Sequence, residues 1–234
     1  VNSIEDKKVK HPAKFTDSIL AEIQRQIEPL WFPEACVLDP FAGVGKLANV
    51  IPHENLWLNE IELEWLEQCP DDCVKVLGDA LRLRFSDGFF DFAITSCCYG
   101  NRMSDHHNAK DGSRRNTYKH MLGRDLHPNN SGQFQWDGNY EGKYCNFHIK
   151  SWNELWRVLK PNGYFFLNVS DHIRKGKIQN VSDFHLGTCI YMGFDWIKTV
   201  EIETPRNRFG ANRELRVDHE NLYIFKKGTR HDSC

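Results

Sequence analysis

Short apolar runs alternate with helical periodicity along most of this chain. Residues 16–29 open the series: Thr16 or Asp17 can cap a helix, and Ile19, Leu20, Ile23 and Ile27 fall on one face. Cys36-Val37-Leu38 has the length of a buried strand, and Gly45 to Ile51 reads as a helix. Leu56-Trp57-Leu58-Asn59-Glu60 is a strand and Leu63 to Gln68 a helix; Val74 to Asp79 and Phe90 to Ser96 are further strands. Ser151 and Glu154 form a capping-box pattern that starts a helix over 151–159. Pro161-Asn162-Gly163 is a turn, Tyr164 to Val169 a strand, and Phe184 to Met192 a helix stopped at Gly193. Residues 194–203 and 217–226 are two more strands. Such alternation predicts an α/β fold: a mostly parallel sheet, helices on both faces, and a terminal antiparallel strand pair. Ligands of such sheets bind beyond the carboxyl ends of the strands.

Residues 101–150 break this pattern. They are polar and rich in Asn, Gly, His and Arg, and a structureless loop of that length inside a compact domain is unusual and often functional. Residues 101–130 hold six bases and three acids, a local excess of +3 in a chain whose net charge is −2, with four histidines besides.

Composition changes little. The 234 residues suit a single domain, 1–234, with 101–150 inserted in it. The chain is 40% hydrophobic and 26% charged, as soluble globular proteins are. No apolar run has the length of a membrane span, and Val1 to Lys8 lacks the apolar stretch of a secretory signal, so a cytoplasmic location is expected. The net charge argues against nucleic acid coating the whole surface but leaves room for a local basic groove. The eight cysteines are scattered, and Cys69-x3-Cys73 alone is a weak metal signature; ordinary reduced thiols and no metal are expected.

Two segments carry chemistry. Asp39-Pro40-Phe41-Ala42-Gly43-Val44-Gly45 follows a buried strand and opens a helix, where glycines admit a ligand close to the backbone. Glu60 ends the second strand, where a carboxylate can accept both ribose hydroxyls, and Asp79 ends the third. The second segment is Thr95-Ser96-Cys97-Cys98-Tyr99-Gly100. Together the two resemble the cofactor and catalytic loops of S-adenosylmethionine-dependent DNA methyltransferases that modify exocyclic amines, the Ser-Pro-Pro-Tyr type, with both prolines replaced by cysteine. Residues 99–107, 113–118 and 208–220 also resemble small phage and bacterial enzymes of this kind. The resemblance implies a Rossmann-like class I methyltransferase fold, S-adenosylmethionine as cofactor and double-stranded DNA as partner. It also implies a host-modification or restriction-protection role in a bacterium or phage-infected host. It places Asp39 near the cofactor's amino group, with Phe41, Gly43 and Gly45 in the same loop. Asp79 falls at the adenine amine, and Phe15, in His11-Pro12-Ala13-Lys14-Phe15, at the methionine pocket.

The catalytic loop leaves the methylated atom open. In the resembling family the first residue and a backbone carbonyl accept the two hydrogens of a flipped base's amine, the prolines aim that carbonyl, and the tyrosine stacks on the base. Ser96 and Tyr99 retain the outer functions. Cys98 also aligns with the thiolate by which cytosine C5 methyltransferases activate the ring, Cys97 could assist, and Asp171 is a candidate acid. The leading expectation is therefore C5 methylation of a flipped cytosine. The alternative is N4-cytosine or N6-adenine methylation with structural cysteines; outside the class stand an RNA methyltransferase and an inactive nucleic-acid-binding relic. Arg102, Arg114, Arg115, Arg208 and Arg213 are the expected DNA contacts, since arginine serves both phosphates and base edges.

Overall fold

The computed structural model describes residues 11, 15–100, 118–136, 138–174, 176–204 and 217–229. Helix α1 (Asp17–Ile27) is capped by Thr16, whose hydroxyl accepts from Ile19 N at 3.4 Å. Strands β1 (Val37–Asp39), β2 (Leu56–Glu60), β3 (Val74–Leu77) and β4 (Phe90–Ser96) follow, with the one-turn helix α2 (Leu63–Leu66) after β2. Beyond them lie α3 (Tyr118–Leu122), α4 (Lys143–Val158), β5 (Leu159–Val169), the hairpin β6 (His172–Arg174) and β7 (Lys177–Gln179), α5 (Val181–Tyr191), β8 (Phe194–Glu203) and β9 (His219–Lys227).

Seven strands make one sheet in the order β3-β2-β1-β4-β5-β9-β8. The first five are parallel, and β9 runs antiparallel between β5 and β8. This is the expected α/β sheet with its terminal antiparallel pair. The order reverses between β1 and β4, which opens a crevice at their carboxyl ends. One apolar face packs α4 and α5 through Trp152, Leu155, Val158 and Phe184; the other packs α1 through Ile19, Ile23 and Ile27. No helix among the described residues is long and apolar enough to cross a membrane. All seven described cysteines are free thiols.

Several local expectations need correction. Helix α4 begins at Lys143, so Ser151 is no cap; its hydroxyl bonds back to Phe147 O at 3.1 Å. Glu154 instead accepts from Leu83 N and from Arg157. Gly45–Ile51 forms only a 3-10 turn, Lys46–Asn49. Pro161-Asn162-Gly163 does not interrupt β5 but makes a bulge in it: the register against β4 shifts between Phe90 and Phe92, and Asn162 takes φ 64°. The described residues of the polar insertion include α3, the turn Ser131–Gln133 and the first half of α4.

Phe165 lies at the centre of β5, fully buried, with Trp152, Phe194 and Phe225 within 5.8 Å between ring centroids. Phe165→Ala is expected to destabilise the fold by about 3–5 kcal/mol in urea unfolding; a loss under about 1 kcal/mol would show that β5 is not the centre of the core.

Candidate active site

A cavity of about 320 Å³ opens at the carboxyl ends of β1, β2 and β4, small but within the range of ligand sites. The loop after β1 forms one wall. Gly43 and Gly45 take φ 55° and 70°, a conformation that side chains disfavour. A Cβ on Gly43 would stand 3.2 Å from the His11 ring, and one on Gly45 would stand 3.0 Å from Cys69 Sγ and Leu58 Cδ1. Gly43 lines the cavity, so its bare backbone faces whatever binds there; Phe15 and Phe41 line it too. Gly45 does not, and serves the packing of the loop instead.

The three acids at strand ends do different things. Asp39 does not line the cavity: it is 1% exposed, and one carboxylate oxygen, Oδ1, accepts from Phe41 N at 3.1 Å and Thr95 Oγ1 at 2.8 Å. It therefore ties the loop after β1 to the end of β4, behind the cavity wall rather than on it. Burial pushes its pKa up to about 7 against those two hydrogen bonds. Glu60 does line the cavity. Its Oε2 accepts from Gly43 N at 2.8 Å and its Oε1 from Ile61 N and Glu62 N, yet burial lifts its pKa to about 7 as well. Asp79 also lies off the cavity; it accepts from Leu81 N and, at 2.6 Å, from Asn129 Nδ2. Asn129 is the group that reaches the cavity wall.

A neighbouring segment closes this side. Glu62, 1% exposed, accepts from His127 N at 2.8 Å, Asn130 Nδ2 at 2.9 Å and Arg124 Nη2 at 2.7 Å. These bonds seat Asn129, Asn130 and Ser131 over the cavity. Nothing in the residue pattern singled them out, because each partner is more than 45 positions away in the chain.

On the β4 side, Ser96 Oγ is 2.9 Å from Tyr99 Oη, which donates to Glu220 Oε2 at 2.7 Å. Asn168 Nδ2 donates to Tyr99 Oη at 2.8 Å and to Glu220 at 2.7 Å. Ser96, Tyr99 and Glu220 all line the cavity. Glu220 and Asn168 are thus site residues that pattern reading missed, although both lie in segments that drew notice, 208–220 and 168–172. Asp171, the expected acid, is elsewhere: its Oδ1 accepts from Ser182 N at 2.8 Å in the first turn of α5. Cys97 and Cys98 part company. Cys97 packs into the α4–α5 core, Sγ 3.5 Å from His185 Nε2, and burial holds its pKa well above the ordinary thiol value. Cys98 borders the cavity with Sγ 3.3 Å from Tyr118 Oη; burial raises its pKa too, opposed by hydrogen bonds from Ser131 and Tyr118.

Cys97, His148 and His185 bring potential metal-binding atoms within 4.8 Å of one another. Trp152 Nε1 donates to His185 Nδ1 at 3.1 Å, however, which places the ring proton on Nε2 and leaves that nitrogen no lone pair for a metal. Arg102, Arg114, Arg115, Arg208 and Arg213 lie outside the described residues.

A family model described as "DNA methylase", of the N6/N4 methyltransferase type, matches residues 90–233. No curated protein matches the chain. Among solved structures, the [4+2]-cyclase SpnF superposes with a TM-score of 0.55 at 12% identity, over 88% of this chain and 80% of that one. A protein of Bacillus halodurans provisionally assigned as a methyltransferase gives 0.54 at 14% identity, over 91% and 100%. TrmN of Thermus thermophilus gives 0.51 at 13% identity, over 89% of this chain and 48% of that one. These likenesses show the class I methyltransferase fold, and the cyclase among them shows that the fold alone does not fix the reaction.

Asp39 and Glu60 hold their protons more tightly folded than unfolded. The stability this confers is complete below about pH 4 and is lost as pH rises toward about 7. Urea unfolding of the cofactor-free protein across this range should show Glu60→Gln losing less stability with rising pH than the parent. Equal slopes would place the titration elsewhere.

Proposed function

The chain belongs to the DNA methylase family of N6/N4 methyltransferases, whose model spans more than half of it, and on that premise we propose that it methylates the exocyclic amine of a flipped base, cytosine N4 before adenine N6. S-adenosylmethionine is the cofactor. The cavity fits it: Gly43 offers bare backbone, Phe15 and Phe41 apolar walls, Glu60 the remaining Oε2 lone pair for a ribose hydroxyl, and Asn129 a polar group held by Asp79. When bound, it supplies an electrophilic methyl group on a sulfonium sulfur.

The direction of the hydrogen bonds at Ser96 carries the reading. Tyr99 has one hydroxyl proton and gives it to Glu220, so its oxygen accepts from Ser96 and Asn168. The single Ser96 proton is thereby turned toward Tyr99; Asn168 Nδ2 reaches one Ser96 lone pair at 3.4 Å, and the other is left for an amine hydrogen. Drawing that hydrogen into Ser96 loosens the nitrogen lone pair from the ring and readies it for the methyl group. The proton shed by the amine has an outlet through Ser96 and Tyr99 toward Glu220. Serine at this position agrees with cytosine N4 in the resembling family.

The thiolate route to C5 has less support. It requires a deprotonated sulfur, and burial disfavours the anion at both cysteines. The Cys97 sulfur is turned into the core, and the charge of Glu60 adds to the penalty at Cys98. Double-stranded DNA is taken as the substrate, contacted by the 101–150 insertion and by Arg102, Arg114, Arg115, Arg208 and Arg213, within one domain over 1–234.

Nucleoside mass spectrometry of DNA treated with enzyme and cofactor tests this. N4-methylcytosine, or N6-methyladenine as the second choice, is expected, and 5-methylcytosine would overturn the reading. Ser96→Ala should lower kcat by about 10²-fold, the usual scale for a lost proton-handling group. Cys98→Ala should stay within about threefold of the parent, because a nucleophile's removal would abolish turnover.

A further inference from the structure

Three side chains outside the cavity form a directed chain of hydrogen bonds that ends on the catalytic loop. Trp152 Nε1 donates to His185 Nδ1 at 3.1 Å. His185 Nε2 lies 2.8 Å from Tyr144 Oη, and Tyr144 Oη donates to the Cys98 carbonyl at 2.7 Å. Both ends are one-way, since an indole N–H only donates and a carbonyl only accepts. Every proton between them is therefore fixed: His185 is neutral with its proton on Nε2, and the Tyr144 hydroxyl points at the loop. Trp152 and His185 are 0% exposed and Tyr144 1%, so bulk water cannot substitute for any link. Burial, with His148 alongside, pushes the His185 pKa well below the ordinary imidazole value, in keeping with a neutral ring.

We propose that Trp152, His185 and Tyr144 are positioning residues that do for the Cys97-Cys98 loop what ring closure does for two prolines. They fix the peptide that joins Cys98 to Tyr99, and through it the aim of Ser96 and the Cys97 carbonyl at the base. A proline pair restrains φ covalently. Two cysteines do not, and an unrestrained loop would lose the alignment on which amine activation depends. The hydrogen-bonded carbonyl supplies the restraint from outside, through two helices that the core already holds rigid.

This rests on the amino-methylation reading, whose own failure would appear in the identity of the methylated nucleoside. Tyr144→Phe removes one hydroxyl and keeps the ring. In the full chain, with tritiated S-adenosylmethionine and unmethylated genomic DNA, kcat should fall by about tenfold or more. KM for both substrates should change by less than about twofold. An unchanged kcat would overturn the proposal. Cys97→Pro with Cys98→Pro in the Tyr144→Phe background should recover most of the lost rate, and a folded triple variant that stays slow would also overturn it. Where the triple variant fails to fold, the kcat of the Tyr144→Phe single variant decides. Nitrogen-15 spectra of the histidine-labelled protein, with the His185 signal assigned by its loss in His185→Gln, should show the Nε2–H tautomer between about pH 6 and 8. An Nδ1–H tautomer or an imidazolium would break the chain and the proposal with it.

Discussion

Thr95 Oγ1 donates to Asp39 Oδ1 at 2.8 Å across the point where the sheet order reverses. The loop after β1 begins at the next residue past Asp39, and the proposed catalytic loop begins at the next residue past Thr95. One buried bond therefore sets the distance between the two walls of the cavity, and methyl transfer requires that distance to be fixed before substrate arrives. The same carboxylate oxygen also accepts from Phe41 N, so the wall that bears Phe41 is locked to the same anchor. The arrangement carries a cost: Asp39 is desolvated enough for its pKa to rise to about 7. A group that weakens stability near neutral pH yet orders both loops is the kind of trade expected at a working site.

The other two strand-end acids extend the scaffold sideways. Glu60 joins β2 to the same loop through Gly43 N, while Asp79 holds Asn129 and Glu62 seats the segment 124–130. Acids that read as direct ligands thus divide into one that faces the cavity and two that hold what faces it. The pocket is preorganised by carboxylates that accept backbone and side-chain N–H groups, which is how a buried acid is made tolerable.

Much of this was legible in the residue pattern, and the failures have physical causes. β2 and β4 match to the residue, because a strand buried on both faces is a continuous apolar run between polar ends. The start of α4 was hidden because its buried face includes Tyr144 and His148, which do not read as apolar. The proposed catalytic loop is visible in the sequence through Ser96 and Tyr99, but their partners are not. Glu220 meets them across the antiparallel β5–β9 pairing, where Asn168 stands opposite Leu222, and a register of that kind is set by tertiary packing. Asp171 reads in the sequence as an acid at a strand end. It lies just past the end of β5, where an unpaired helix-turn amide claimed it instead.

The cysteine pair suggested a change of chemistry because two thiols side by side look reactive. Reactivity belongs to the thiolate, and the thiolate needs solvent or a cation. Adjacent residues in extended backbone point to opposite sides, and here one side is the α4–α5 core and the other a small apolar cluster with Trp65 and Tyr118. Each sulfur behaves as a small hydrophobe that pins its side of the loop. What the pair gives up relative to proline is covalent stiffness, not polarity or size. A loop pinned on both faces and bonded at the Cys98 carbonyl can do without that stiffness, so the substitution need not alter which atom is methylated.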